Sequence, residues 1–282
     1  MREWIDTSKP HSARFWNYFV GGKGNYEVAR RTGDQIKEIF PGLVDVAVTS
    51  RRFLGRAVRH LAVEQGIRQF LDVGTGLPNA DNTHQVAQYY APDARMVYVD
   101  SDPLVLAHAL LLTSTPEGRT AYLDADLYQS EQILKAAGVT LDLSRPVALT
   151  ILNTLGHVEE MDHASGLVGR LMAGLPSGSH LVIGDGTATS EGMIAVSEAC
   201  TESGVVRYRV RSVEGIAGLF DALELAEPGV VRVTHWRPEG DPTAEAAVDA
   251  YGDVARQACD AASPVAARWA VTGDAASAGV SR

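Results

Sequence analysis

The chain has 282 residues, of which 45% are hydrophobic and 21% charged, and its formal net charge is −10. This composition is typical of a globular protein and excludes collagen-like, coiled-coil and wholly disordered chains. The acidic balance argues against a protein that binds nucleic acid by neutralising phosphates. No apolar stretch is long enough for a signal peptide or a membrane span, so we expect a cytoplasmic protein that does not enter membranes. Cys200 and Cys259 lie far apart in sequence, which favours reduced thiols over a disulfide or a zinc site, and no metal is predicted.

Residues 1–66 predict an N-terminal helical cap. An amphipathic helix is expected over residues 46–62, because its apolar residues recur on one side and its arginines on another. Before it, aromatic residues and glycines are mixed within the first 26 residues. This segment is compatible with a hinged aromatic lid or with a segment that simply packs on the core.

Residues 67–240 alternate short apolar runs with helical stretches, which predicts a doubly wound α/β core whose strands are covered on both faces. The predicted strands are 69–73, 96–100, 120–123, 147–152 and 180–183. The predicted helices are 83–90, 103–112, 130–137, 162–175, 191–203 and 213–223. Residues 225–233 predict an antiparallel strand pair that closes the sheet, for about seven strands in all. Residues 241–282 predict an Ala-rich extension with one helix over 243–262 and a disordered end.

A glycine turn follows the first predicted strand, at the edge where open α/β sheets bind ligands. The turn reads Asp72-Val73-Gly74-Thr75-Gly76-Leu77, and the third glycine of a dinucleotide fingerprint is missing. The next strand ends in Asp100, where a carboxylate can accept hydrogen bonds from ribose hydroxyls. Asp126 follows the third strand, where a carboxylate can accept from an adenine amino group. The combination predicts an adenosine-containing cofactor.

The charges near these strand ends indicate which cofactor it is. Aspartates crowd the region without a run of Lys or Arg to meet phosphates, so a cationic, phosphate-free molecule fits best. S-adenosylmethionine has these properties, and the N-terminal aromatic side chains can stabilise its sulfonium by cation–π attraction.

Several segments, in order, resemble a bacterial family of S-adenosylmethionine-dependent methyltransferases first catalogued as a domain of unknown function. Its hallmark is similar to GIRQFLDVGTGLP at 66–78, and its N-terminal motif to PHSAR at 10–14 with Tyr18. Its ribose strand resembles VYVDSDP at 97–103, and its closing strands resemble EPGVV at 227–231 with WRP at 236–238. The resemblance covers about residues 6–240. It implies a class I, Rossmann-like methyltransferase fold with S-adenosylmethionine bound at Asp72, Gly74, Gly76, Asp100 and Asp126.

The remaining cofactor residues are assigned by their places beside these motifs. They are Thr75, Leu77, Ser101, Leu127, Asn153, Arg14 and Tyr18. For Arg14, a bidentate pair with a ligand carboxylate and a structural ion pair are equally open interpretations.

The catalytic candidates follow the fourth and fifth strands. His157 is the first candidate for a general base, because histidine titrates near neutral pH, and Asp185 is the second. The chain departs from the family pattern here, since Gly156 stands in place of a histidine and the segment Gly-Asp-Gly-Thr at 184–187 in place of a Ser-His pair.

The sequence therefore predicts a methyltransferase that acts on an O, N or C nucleophile of a small molecule. A non-catalytic S-adenosylmethionine-binding regulator and an NAD(P)-dependent oxidoreductase remain as alternatives. The sequence does not fix the oligomeric state, and a homodimer is compatible with it.

Overall fold

The computed structural model describes residues 6, 8–78, 82–112, 118–203, 207–241 and 247–258. Within these ranges the strands are β1 (Gln69–Val73), β2 (Arg95–Asp100), β3 (Thr120–Asp124), β4 (Ala148–Leu152), β5 (His180–Gly186), β6 (Glu224–Leu225), β7 (Val231–Arg232) and β8 (Ala250–Arg256). The helices are α1 (Ser12–Phe19), α2 (Glu27–Ile39), α3 (Leu43–Val63), α4 (Thr83–Tyr90), α5 (Pro103–Leu112), α6 (Ser130–Ala137), α7 (Met161–Ala173), α8 (Glu191–Ser203) and α9 (Val213–Gly218). A short 3-10 turn spans Leu155–His157.

The central strands form because their side chains are buried on both faces of the sheet. In β1, Phe70 belongs to the core that includes α3, and its neighbour Leu71 belongs to the core that includes α6 and α7. Since successive strand residues point to opposite faces, a continuous apolar run needs helices on both sides. The chain accordingly folds into three layers, with one sheet between two layers of helices.

The strand order places a ligand-binding edge in the middle of the sheet. The order is β3-β2-β1-β4-β5-β8-β6, and β7 pairs with β8 off this path. Strands β1 to β5 are parallel, and β8 runs antiparallel to β5. The order reverses between β1 and β4, and open α/β sheets bind ligands in the crevice at such a switch point.

The predicted fold class is confirmed, including the N-terminal helices and the antiparallel C-terminal edge. All five predicted parallel strands and all six core helices are present, with ends that shift by a few residues. The division of the chain at residue 66 stays a prediction.

The C-terminal part of the prediction is wrong where the structure describes it. The predicted helix over 243–262 contains β8, and residues 243–246 and 259–262 of it lie outside the described residues. Because β8 pairs with β5 over seven residues, residues 250–256 belong to the sheet core and not to an extension. The closing strand pair predicted within 225–233 is two short strands, β6 and β7, which pair with β8 and not with each other. The predicted disordered end and Cys259 lie outside the described residues.

No helix in the described part of the chain is both long enough and apolar enough to cross a bilayer.

Candidate active site

A cavity of about 400 Å³ lies at the carboxyl ends of β1 to β4 and is covered by α1 and α3. Its volume is within the range of small-molecule sites in proteins. The strand ends contribute Asp72, Gly74, Thr75, Gly76, Leu77, Asp100, Ser101, Asp126, Leu127 and Asn153. The helices and the 3-10 turn contribute His11, Trp16, Val20, Ala47, Ser50, Arg51, Leu54 and His157 among others. Ten sequence-predicted cofactor residues and one predicted catalytic residue therefore line one cavity.

The glycine turn after β1 brings the main chain against the cavity. Gly74 and Gly76 have φ angles of +74° and +67°, in the left-handed region that favours glycine. The Gly74 amide donates to the Val99 carbonyl at 2.9 Å, which ties the turn to β2. A Cβ atom on Gly74 would lie 2.1 Å from the Thr154 hydroxyl. The turn therefore needs glycine at position 74 for two independent reasons.

Asp72 is a buried carboxylate held by hydroxyl groups. Thr150 donates to its Oδ1 and Thr83 to its Oδ2, both at 2.9 Å, and Thr75 lies 3.4 Å from Oδ2. Burial raises the pKa of Asp72, and these hydrogen bonds and the charge of Arg51 oppose that rise. The carboxylate is thus fixed in direction and lies within electrostatic reach of the Arg51 guanidinium.

Asp100 is fixed by two backbone amides. Gly76 donates to its Oδ2 at 2.8 Å and Asp102 donates to its Oδ1 at 2.9 Å. Burial raises the pKa of Asp100. An ionised carboxylate has about four acceptor sites, so each oxygen keeps the capacity to accept from a ligand hydroxyl.

Asp126 is exposed at the mouth of the cavity. Its Oδ1 accepts from the Tyr128 amide at 2.9 Å, and its own amide donates to Gln129 at 3.0 Å. The loop after β3 is therefore ordered by local hydrogen bonds, with acceptor capacity left on the carboxylate.

One face of α3 forms part of the cavity. Ala47, Ser50, Arg51 and Leu54 all line it. Their spacing of three, four and seven residues places them on one side of a helix. Arg51 is the cation that acts on Asp72. Sequence reasoning predicted this helix but not the role of this face, although the spacing was a signal that could have indicated it.

His157 lines the cavity from the 3-10 turn after β4. Its Nδ1 lies 2.6 Å from the Arg207 carbonyl oxygen, which only accepts, so Nδ1 carries the proton. In the neutral ring the other nitrogen, Nε2, is then an acceptor. Burial lowers the pKa of His157, which keeps the ring neutral at pH 7.

The structure does not bring Asp185 to the cavity. This side chain is 1% exposed and accepts from the amides of Gly156 and Gly186 and from the Tyr208 hydroxyl. Burial raises its pKa. Asp185 thus holds the loops behind His157 and has no access to a ligand, which corrects its prediction as a base.

Arg14 and Tyr18 also lie away from the cavity lining. Arg14 is 4% exposed and donates from Nε and Nη2 to the two oxygens of Asp102, both at 3.0 Å. The structural ion pair is thus the correct alternative for Arg14. Tyr18 donates to Asp34 at 2.7 Å and accepts from Lys37 at 2.9 Å, on the outer side of the cap.

Besides His11 Nδ1, which lies 3.2 Å from the Asp102 carboxylate, three polar atoms of the lining are buried and have no hydrogen-bond partner among the described residues. They are Trp16 Nε1, Ser50 Oγ and Asn153 Oδ1. Asn153 also has a φ angle of +49°, which is uncommon for a residue other than glycine. Buried polar groups are nearly always paired in native proteins, so these atoms indicate a ligand that completes the site.

Comparison with known proteins gives a family and two close structures. The model of the S-adenosyl methyltransferase family matches residues 1–258. A DUF574 family protein from Streptomyces avermitilis MA-4680 is 42% identical, with a TM-score of 0.85 over 90% of this chain and 100% of that one. A candidate methyltransferase from Thermobifida fusca YX is 36% identical, with a TM-score of 0.83 over 90% of this chain and 97% of that one. No curated protein matches the chain.

Proposed function

Since the chain belongs to the S-adenosyl methyltransferase family and its cofactor is S-adenosylmethionine, we propose that it methylates a small molecule held in the cavity beneath α1 and α3. When bound, the cofactor supplies an electrophilic methyl group on a sulfonium. The protein then has to orient the acceptor, exclude water and receive a proton where the acceptor carries one.

The charges of the lining fit the chemistry of the cofactor. Ribose hydroxyls and an adenine amino group are donors, and Asp100 and Asp126 present acceptors at neighbouring strand ends. The amino-acid group of the cofactor is a zwitterion, and the cavity offers the Arg51 guanidinium for the carboxylate. Asp72 and the unpartnered Asn153 Oδ1 suit the ammonium.

The glycine turn supports the same assignment. The turn runs beside Asp100 and lines the cavity with Gly74, Thr75, Gly76 and Leu77. Because the glycines have no side chains, a ligand can approach the main chain of the turn closely. Ser101 and Leu127 border the adenosine end in this proposal.

A small acceptor suits the enclosed part of the site. The apolar side chains Val20, Ala47 and Leu54 line the cavity, and α1 lies over the strand ends. The net charge of −10 opposes a polyanionic substrate. We assign His157 Nε2 as the group that receives the acceptor's proton, because its tautomer is fixed by the Arg207 carbonyl.

The observation that carries this proposal is the placement of Asp100, which is fixed by two amides and faces the cavity. Its test is calorimetric titration with S-adenosylmethionine and S-adenosylhomocysteine. Hydrogen bonds to a charged group are worth about 1.5–3 kcal/mol, so Asp100→Asn should weaken binding at least about ten-fold.

The matched control is Asp124→Asn. Asp124 pairs with Asp100 across β2 and β3, but it is exposed and does not line the cavity. Equal affinities in the two variants would contradict the assigned cofactor site. Repeated turnover with a small acceptor would support the enzymatic role, and binding without turnover of any acceptor would support the regulatory alternative.

A further inference from the structure

The cavity wall formed by helices differs in chemistry from the strand ends with their carboxylates. We define this helical wall as Trp16 and Val20 of the α1 segment with Ala47, Ser50 and Leu54 of α3. All five line the cavity, and none is charged. The acidic residues of the lining are Asp72, near the end of β1, Asp100, at the end of β2, and Asp126, in the loop after β3. The strand-end side of the cavity is therefore acidic, and the helical wall carries no carboxylate and is largely apolar, with Arg51 beside it on the same face of α3.

Two polar atoms on the helical wall lack partners in the described part of the chain. Ser50 is 1% exposed, and its hydroxyl makes no hydrogen bond. The adjacent Thr49 shows the usual alternative, because its hydroxyl donates to the Asp45 carbonyl at 2.6 Å within the same helix. The Trp16 indole nitrogen is also buried without a partner. An indole N–H only donates, so the wall requires a ligand oxygen or another acceptor.

Trp16 and His157 are held in place by one shared neighbour. Tyr208 makes edge contacts with both rings, at centroid distances of 6.1 Å to Trp16 and 5.3 Å to His157. The Tyr208 hydroxyl donates to the buried Asp185 carboxylate. The Gly156 position makes room for this ring, since a Cβ there would lie 2.5 Å from Tyr208 Cε2. The indole and the imidazole are thus both packed against the Tyr208 ring, and both residues line the cavity.

We propose that the helical wall and His157 form the acceptor subsite, and that the acceptor is an uncharged hydroxyarene, a molecule with a phenolic hydroxyl on a flat apolar ring system. This inference rests on the proposed function and specifies its substrate class. The flat apolar body packs between Trp16, Val20 and Leu54, and oxygen atoms on it pair with Trp16 Nε1 and Ser50 Oγ.

Two alternative acceptors fit the wall less well. An ammonium group would have no carboxylate on the helical wall to pair with, and an unpaired buried charge is costly. A carboxylate acceptor would compete with the cofactor for Arg51, which is the one guanidinium among the described lining residues. A neutral hydroxyl has neither difficulty.

The transfer balances with the groups present. The phenolic oxygen forms a bond to the methyl carbon, while the carbon–sulfur bond breaks and its electron pair goes to sulfur. The phenolic proton goes to His157 Nε2 and from there to water. A phenol has a pKa of about 10, so a neutral histidine that accepts the proton accelerates the reaction at pH 7.

The test compares three probes of one shape, 2-naphthol, 2-naphthylmethylamine and 2-naphthoate, by calorimetry on the S-adenosylhomocysteine complex and by product analysis with S-adenosylmethionine. The variants are Trp16→Phe and Ser50→Ala, with Thr49→Ala as the control that removes a hydroxyl outside the cavity. Each cavity variant should raise the KM for 2-naphthol about three- to ten-fold without changing cofactor affinity. Thr49→Ala should leave that KM unchanged.

His157→Gln gives an independent readout. It should lower kcat at pH 7 by about 10² to 10⁴, with cofactor affinity unchanged. Because phenolate forms in solution at high pH, the variant's kcat should rise with pH towards 10, whereas the wild-type rate should be level above the pKa of His157.

The outcomes separate the two proposals. If S-adenosylhomocysteine binds but 2-naphthol does not, or if the amine or the acid is methylated in its place, the acceptor class is wrong and the cofactor site stands. If the two cavity variants behave like Thr49→Ala, the helical wall is not the subsite. If S-adenosylhomocysteine does not bind, the proposed function fails and this inference fails with it.

Discussion

Gly74 shows how one residue connects the backbone to the site. Its φ angle of +74° costs a side chain about 1–2 kcal/mol, and its missing Cβ makes room for Thr154. Gly76 has a similar φ angle of +67°, but a Cβ there would meet nothing within 4 Å.

Gly74→Ala should therefore destabilise the protein more than Gly76→Ala. We expect losses of roughly 3 kcal/mol or more at position 74 and about 1–2 kcal/mol at position 76, because only position 74 adds a collision to the backbone strain. Urea unfolding of the two variants measures the difference. Equal losses would show that the turn relaxes around Thr154 and that only the backbone angle matters.

The position of a single residue is best predicted from the sequence when it depends on the neighbouring strand or turn. The glycine turn, Asp100 and Asp126 are placed by the strand they follow, so their position at the cavity edge was predictable. The destination of Arg14 was not, because its partner Asp102 is 88 residues away. The orientation of Asp185 was not predictable for the same reason, since it depends on Tyr208 from another segment of the chain.

Helix α1 is joined to the strand-end loops of the core through the Arg14–Asp102 ion pair. Both side chains are almost fully buried, at 4% and 0% exposure. Asp102 also donates its amide to Asp100 and accepts at Oδ1 from the Leu104 amide at the start of α5. The pair therefore links α1 to the carboxylate that we assign to the ribose.

Removing one partner of this ion pair should lower the free energy of unfolding by more than its share of the loss in the double variant, because the remaining charge stays buried. Arg14→Met removes the guanidinium from the buried Asp102 carboxylate and leaves it the Leu104 amide and the His11 imidazole, 3.2 Å from Oδ2. Breaking a buried pair in this way costs about 3–5 kcal/mol. In a double-mutant cycle with Asp102→Asn, the double variant should lose less stability than the sum of the single variants. Denaturant unfolding gives the four free energies.

The same four proteins should also be titrated with S-adenosylmethionine. We expect Arg14→Met to weaken binding, since the Asp102 amide that fixes Asp100 loses its support. Strict additivity of the unfolding free energies would show that Arg14 and Asp102 are not energetically coupled. Unchanged cofactor affinity would show that the pair stabilises the fold but does not support Asp100.

Strand β8 shows why one element escaped prediction. Its sequence, Ala-Tyr-Gly-Asp-Val-Ala-Arg, has the small residues of the surrounding Ala-rich stretch and little β propensity apart from its Tyr and Val. Gly252 lies so close to β5 that a Cβ would be 2.2 Å from the Ile183 carbonyl oxygen. The strand is selected by pairing with β5, which is a long-range effect that local patterns do not contain.

For the molecule as a whole, the parallel part of the sheet was predictable because its strands are buried on both faces. Continuous apolar runs such as Phe70-Leu71 leave no alternative to a sheet covered by helices. The cavity was predictable only in outline. Its cofactor side follows from strand ends, whereas its helical wall depends on how α1 and α3 dock, so Trp16 and Ser50 were not identified from sequence.

The antiparallel pair β5–β8 also carries two buried groups that oppose each other in the dependence of stability on pH. Burial lowers the pKa of His180 to about 4 from 6.5, with the charge of Arg256 acting in the same direction. Burial raises the pKa of Asp253 to about 6 from 3.8. His180 stabilises the fold fully above pH 6.5 and loses this contribution as the pH falls towards 4. Asp253 stabilises fully below pH 3.8 and loses its contribution as the pH rises through 6.

Single substitutions should expose these opposite slopes. Between pH 4.5 and 6 the wild type gains stability from His180 as the pH rises, and His180→Gln lacks this gain. The free energy of unfolding of this variant, relative to wild type, should therefore fall by about 1–2 kcal/mol over that range.

Asp253→Asn keeps an acceptor for the Trp236 indole, which donates to Asp253 at 2.7 Å. Relative to wild type, the free energy of unfolding of this variant should rise by a similar amount over the same pH range. Urea unfolding at several pH values measures both slopes, and the comparison with wild type cancels the other titrating groups. Parallel pH curves for all three proteins would show that neither group is desolvated in the folded state, and that the closing strand is more open to water than its burial implies.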